Sequence, residues 1–256
     1  MGRLIPLLCA AFLGAASLAA AADAAPAPLQ LLLSIAPDTG ATKGTLTAWE
    51  RDTPSSPWKA APAVFAGQPS AAVQYGWKGL AWGRGLHAPQ PGLQKRESDG
   101  RAPMGRFAIG MMLGDAPHLP PGAKWTDYVQ KSDRTAWIDD PAAPHYNHLY
   151  VLKDGETPTP WFEKNRMRVG DPARAWEIVI EHNYDDAQPG LGSAIFFHIR
   201  RSEDHPSAGC TVMAEAALLG LMTWLDPKAH PQLVQLDRDD YLKLGKAWDL
   251  PAPDGN

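Results

Sequence analysis

Trp176 to Glu181 reads WEIVIE, and Ser193 to Ile199 reads SAIFFHI. Both runs are rich in β-branched and aromatic residues, which suit a pleated, half-buried surface, and both are short enough for strands. Between them, Asn183 to Gly192 holds Asp185, Asp186, Pro189, Gly190 and Gly192, which are turn residues. After the second run the pattern changes. Met213 to Leu225 (MAEAALLGLMTWL) consists largely of strong helix formers and ends at Asp226-Pro227. Asp237 to Trp248 is expected to form a short final helix with Asp237 near its start.

Toward the N-terminus the same reasoning finds more strands. Leu31 to Ile35 is a short apolar run bounded by Gln30 and Pro37, and Gly44 to Arg51 alternates loosely as its hairpin partner. Ala72 to Trp77 and Leu80 to Gly83 read as strand, turn, strand. A turn over Pro103 to Gly105 leads into a strand from Arg106 to Gly110. Residues 114–174 are rich in Pro, Asp, His and Trp with little period, so a long excursion carrying surface loops, with a lid over a cleft among them, is expected there. With 23 Gly, 25 Pro and 10 Trp, the composition favours a loop-rich β protein over a helical bundle. The fold expected is mainly β: a sandwich-like or barrel-like mixed sheet, with a helix following residue 210 and a short C-terminal helix.

Met1-Gly2-Arg3 is a short positive start, and Leu4 to Ala22 is almost wholly apolar and rich in Ala and Leu. Ala22-Asp23-Ala24 has the small-x-small form of a signal peptidase site, so residues 1–24 are read as a secretory signal peptide cut after Ala24. The alternative is a retained membrane anchor, which the length of the apolar stretch permits. No later stretch is apolar for long enough to cross a bilayer, so no stable span is expected once the signal is cut. The expected location is the periplasm or cell envelope. Residues 25–69 are read as a lead-in with the first strands, and 70–256 as one catalytic domain. A net charge of -4 with no Lys/Arg run argues against nucleic-acid binding.

Cys9 leaves with the signal, so Cys210 becomes the sole thiol of the mature chain and has no internal disulfide partner. A free thiol in an oxidising compartment risks oxidation, which points to chemistry, with a buried inert cysteine as the alternative. His198 ends the apolar strand, and Ser207-Ala208-Gly209 is a small-residue turn delivering Cys210. A cysteine just ahead of a helix feels the positive end of its dipole, which favours the thiolate. An imidazole within reach completes a nucleophile–base pair. The N–H groups of Gly209 and Cys210 are candidate oxyanion donors, each worth about 3 kcal/mol in well-studied sites.

The order His…Ser-x-Gly-Cys on strand, loop and helix resembles the L,D-transpeptidase (YkuD-type) catalytic domain. Arg101-Ala102-Pro103-Met104-Gly105-Arg106-Phe107 is similar to that family's basic-x-Pro-x-Gly-x-Phe segment. Asp139-Asp140-Pro141, Tyr146-Asn147, Glu181-His182-Asn183 and Gly192 to His198 are similar to its branch ending in Ser/Thr-Ala-Gly-Cys. The resemblance covers roughly residues 70–225. It implies Cys210 as thiolate nucleophile, His198 as base, the Ile199 carbonyl as orienter of the ring, and Ser207 and Gly209 as the turn. Two positions depart from the commoner motif: Ala208 stands where His is usual, and Val212 where Arg is usual. His182 and His205 are the candidates for the vacated space, His205 being expected as an exposed loop residue. His182, Arg84, Ala208 and Thr211 are the candidate substrate contacts, with a solvated turn as the other reading of Arg84.

The resemblance implies acyl transfer on peptidoglycan stem peptides through a Cys210 thioester, with carbapenem adduct formation as a corollary. It implies no metal or organic cofactor. His145 and His148 lack a convincing carboxylate partner and read as loop contacts rather than metal ligands, and Asp139 and Asp140 read as turn residues. Trp82 and Trp137 are the tryptophans expected to border a cleft. Two alternatives stand beside transfer: a peptidoglycan hydrolase or amidase using the same thiol, and a non-catalytic wall-binding protein.

Overall fold

The computed structural model describes residues 26–252, so the expected signal peptide lies outside the described residues. The strands are β1 (Gln30–Ala36), β2 (Lys43–Glu50), β3 (Lys59–Ala60), β4 (Ala71–Gln74), β5 (Leu80–Trp82), β6 (Ala102–Gly114), β7 (Tyr128–Gln130), β8 (Thr135–Trp137), β9 (Leu149–Val151), β10 (Trp176–Ile180), β11 (Phe196–Ile199), β12 (Thr211–Met213) and β13 (Gln232–Asp237). The helices are α1 (Pro160–Asn165), α2 (Glu215–Trp224) and α3 (Arg238–Leu244).

The main sheet runs β1-β13-β6-β10-β11-β12-β4-β2, and β2 pairs back onto β1. The sheet is therefore a closed, barrel-like mixed sheet, which leaves few open edges. β3 extends β2, β5 and β7 flank β6, and β8 and β9 form a separate ribbon. The pairs β1–β13 and β11–β12 are parallel, whereas β10–β11, β10–β6 and β13–β6 are antiparallel. Neighbouring parallel strands need a crossover connection. Between β11 and β12 that connection is the loop of residues 200–210, so strand pairing brings the end of the loop back beside β11.

The two apolar runs are β10 and β11, and their alternation sorts side chains onto two faces. Ile178, Ile180, Ile195, Phe197 and Met213 join Leu32, Phe107 and Leu233 in the main core. Val179, Phe196, Cys210 and Val212 face the other way and pack with Leu113 and Trp137. The segment 114–174 covers that second face, and its own small core is Ala136, Ile138, Leu152 and Phe162.

Four local expectations are corrected. Pro103 to Gly105 is not a turn but lies within β6, where a Cβ on Gly105 would come 2.0 Å from Nε2 of His87; the glycine serves close packing. The strand expected over Ser193 to Ile199 starts only at Phe196, whereas the runs at Ala72–Trp77 and Leu80–Gly83 form β4, between β12 and β2, and β5, beside β6. The excursion carries β7, β8, β9 and α1 rather than loops alone. Finally, Thr211-Val212-Met213 is drawn into the sheet between β11 and β4, so the helix starts only at Glu215. The final helix is α3, with the Asp237 carboxylate capping it by accepting from the Asp240 amide at 2.8 Å.

Candidate active site

His198 on β11 and Cys210 just before β12 line one cavity of about 220 Å³, together with Arg174, Arg201, His205, Ser207, Ala208 and Val212. The register pairs His198 with Val212 and Phe197 with Thr211, which sets Cys210 diagonally from His198 across neighbouring strands. Nδ1 of His198 lies 2.9 Å from the Ile199 carbonyl oxygen and 3.1 Å from that of Ala173. Both partners only accept, so Nδ1 carries the proton and Nε2 the lone pair of the neutral ring. The Cys210 thiol donates to the Ala194 carbonyl at 3.4 Å.

Burial pushes the His198 pKa down to about 3, with the Arg174 charge adding to the effect. Burial also raises the Cys210 thiol, while Arg174 opposes that rise. The resting pair is therefore a neutral thiol and a neutral imidazole. The helix-dipole argument for the thiolate is corrected: β12 separates Cys210 from α2, and the local positive charge comes from Arg174 instead.

Arg174 is the functional candidate that sequence reasoning missed. It ion-pairs with Glu177, which is itself buried and also lies 3.4 Å from Lys131. Glu177 stands directly opposite His198 across β10 and β11. Alternation along WEIVIE could have placed Glu177 on the face of His198, but no local signal ties Arg174 to Cys210.

The turn is built around Ser207. Its amide donates to the Tyr75 carbonyl and its carbonyl accepts from the Trp77 amide, each at 2.9 Å. Its hydroxyl accepts from the Gly209 amide at 3.0 Å and donates to the Cys210 carbonyl. The Gly209 N–H, expected as an oxyanion donor, is thus engaged within the turn. A Cβ on Gly209 would sit 3.0 Å from the Arg101 carbonyl oxygen. Ala208 is exposed at the cavity rim, as is His205.

Three expected substrate contacts lie elsewhere. Thr211 is fully buried on the opposite face, where its hydroxyl donates to Oε1 of Gln235 at 2.8 Å. His182 is 1% exposed and lines a different cavity with Trp82, Lys95 and Arg84. Its ring accepts from the Arg84 amide at 3.2 Å and contacts the Leu191 carbonyl at 3.0 Å. Arg84 holds the 183–186 turn through Oδ1 of Asn183 and the carbonyl of Asp186, each at 2.7 Å. Trp82 borders that other cavity, whereas Trp137 borders the cleft beside Cys210.

Among the described residues no group of three or more His, Cys, Asp and Glu side chains is arranged to hold a metal ion. His145 packs on Tyr150 and Trp161, and His148 on Tyr184. Asp140 caps its turn through the Ala142 amide, and Asp139 lines the cleft with its carboxyl raised by burial.

A sequence profile of the YkuD family, the L,D-transpeptidase catalytic domain, matches residues 47–234. The chain belongs to this family. A search of curated proteins and a search of solved structures each found no match. The matched region of the L,D-transpeptidase domain begins inside β2 and ends inside β13, so it includes the closed sheet's central strands, His198 and Cys210. Within it, the domain places Val212 directly across from His198 and Arg174 beside the thiol from another segment. Among the described residues no helix is long and apolar enough to cross a membrane.

Proposed function

We propose that the protein is an exported cysteine acyltransferase that acts on peptidoglycan stem peptides through a thioester on Cys210. The observation that carries this reading is the shared cavity of Cys210 and His198, with the ring held in the Nδ1–H form by Ile199 and Ala173. In the first half-reaction Nε2 takes the thiol proton as Sγ attacks the carbonyl of the third stem residue. The oxyanion forms and collapses, and the imidazolium passes the proton to the nitrogen of the departing D-amino acid. A thioester remains. The side-chain amine of a second stem peptide then attacks it, Nε2 removes a proton from that amine, and the thiol is regenerated. The neutral resting pair fits a proton transfer that accompanies substrate arrival rather than a standing thiolate. Export, by way of residues 1–24, is part of the proposal and would place the enzyme in the envelope.

The test is incubation with defined tetrapeptide muropeptides, together with mass analysis after exposure to a carbapenem. Cross-linked dimers and an adduct on Cys210 are expected. Trimmed monomers alone would replace transfer by hydrolysis. Absence of turnover and adduct alike, with Cys210→Ala unchanged from the parent, would leave a wall-binding protein. His198→Gln is expected to lower turnover by about 10²- to 10⁴-fold, the usual contribution of a general base.

A further inference from the structure

A cavity of about 510 Å³ opens against β1, β13 and β6, and none of its residues lines the cavity of Cys210. Its volume is in the range of small-molecule sites. Trp58, Leu86 and Trp248 give it apolar walls, and Arg51, Arg106 and Gln232 give it polar ones. The walls are braced. Arg51 pairs with Asp249 at 2.6 Å, donates from Nε to the Pro28 carbonyl at 2.9 Å and lies 4.1 Å over the Trp58 ring. The Trp58 indole donates to the Asp249 carbonyl at 2.7 Å. Arg106 donates from Nη2 to the Trp248 carbonyl and lies 5.4 Å over that ring. Two polar atoms on this wall are left over. Gln232 is 6% exposed, and its Oε1 has no hydrogen-bond partner among the described residues. Nε of Arg106 is likewise buried without one. The register pairs Gln232 with Ala108 and Val234 with Arg106, so Gln232 and Arg106 share a face as diagonal neighbours. One acceptor and one donor thus face the same cavity without bonding each other, a costly arrangement that a spanning ligand would relieve.

We infer that this cavity binds an N-acetylated amino sugar of the wall glycan, whose acetamido N–H donates to Oε1 of Gln232 and whose acetamido carbonyl accepts from Nε of Arg106. A secondary amide carries one donor and one acceptor on separate atoms, which is the pattern the wall leaves open. The apolar C–H face of a pyranose suits the indole walls, and its hydroxyl rim suits the polar groups between them. A peptide bond has the same donor and acceptor. However, β1, β13 and β6 are each paired on both edges, so an extended peptide finds no ladder to join. The inference rests on the acyl-transfer reading for its choice of polymer, and it adds a second site that holds the glycan strand while the thiol works on a stem peptide. Because the walls are braced without a ligand, binding requires little ordering of the protein.

The experiment measures equilibrium binding of the full chain to tri-N-acetylchitotriose and to cellotriose, which has a hydroxyl in place of each acetamido group. The acetylated sugar is expected to bind about tenfold or more tightly than cellotriose. A free stem tetrapeptide added in excess should not displace it. Gln232→Leu is expected to weaken the acetylated sugar about tenfold or more while the melting temperature stays at or above that of the parent, since the lost acceptor had no partner. Arg106→Lys, which keeps the charge but lacks the Nε donor, should weaken binding in the same way and covers the case in which Gln232→Leu folds poorly. No binding of the acetylated sugar would leave the two atoms to water and overturn the inference. Equal binding of cellotriose, displacement by the tetrapeptide, or parent-like affinity in a folded variant would overturn it as well. The acyl-transfer reading fails separately, by absent turnover of glycan-free tetrapeptides and absent adduct on Cys210, and Cys210→Ala should leave sugar affinity unchanged.

Discussion

Nδ1 of His198 donates to the carbonyl oxygen of Ala173 at 3.1 Å, and the next residue, Arg174, lies along the same cavity as the thiol. One short segment therefore sets the tautomer of the imidazole and supplies the positive charge near the thiol. Arg174→Gln is expected to raise the Cys210 pKa further, because the positive charge that opposes the effect of burial is lost. Alkylation of Cys210 followed against pH would show the profile moving upward, and Arg174→Lys should restore most of it. Breaking a buried ion pair by removing one partner typically costs about 3–5 kcal/mol. Lys131 remains beside Glu177, so the loss should fall at the low end of that range or below it.

Stability should fall on acidification through two histidines. Burial depresses His182 and His198 from 6.5 to about 3 in the folded chain. Between those values the unfolded chain binds protons that the folded chain refuses, so stability rises with pH through that window. Each histidine contributes a slope of up to about 1.4 kcal/mol per pH unit below 6.5. Urea melts from pH 4 to 7 should show the decline, and His182→Gln should flatten its pH dependence. An unchanged slope in that variant would contradict the burial account.

Thr211 separates a core role from a substrate role. Its hydroxyl bonds Gln235, whose amide in turn donates to the Pro103 carbonyl at 2.8 Å. Thr211→Val should cost about 1–3 kcal/mol by leaving a buried acceptor unpaired. KM for a donor peptide should stay the same. A shift in KM without loss of stability would mean that Thr211 meets substrate after all.

Asn147 ties the covering segment to the site. Its Oδ1 accepts from the Ala194 amide at 2.9 Å and from the Trp137 indole at 3.2 Å. Its Nδ2 donates to the carbonyls of His182 and Asn183 at 2.9 and 2.7 Å. Since the Ala194 carbonyl accepts from Cys210, Asn147→Ala should loosen the thiol's setting. Turnover is expected to fall tenfold or more, because misplacement of reacting groups by about 1 Å costs about 100-fold. Steady-state kinetics should assign the loss to kcat more than to KM.

Much of the sheet was legible in local pattern. The apolar runs at Leu31 and Trp176 became strands in the closed sheet, as did the Phe196–Ile199 part of the run that begins at Ser193. Period-two alternation from Cys210 would also have placed Thr211 on the opposite face, where it lies. Gly105 misled because a glycine after a proline signals a turn as readily as it signals close packing against a side chain distant in sequence. Thr211 to Met213 misled in the other direction: strand pairing on both sides overrode the helix formers that follow.

The sequence by itself determined that this is a mainly β chain, that a thiol at 210 follows a small-residue turn, and that an imidazole ends the strand before it. Those features rest on local propensity and on spacing along one stretch of chain. Only the tertiary structure decided what surrounds the pair. Arg174 and Ala173 reach His198 and Cys210 across the sheet, His182 and Arg84 turn to another cavity, and Trp137 arrives on the covering segment. The reason is physical: barrel closure and strand register set which distant residues share a face, and burial then sets which of their charges persist, and neither is written in the neighbours of any one residue.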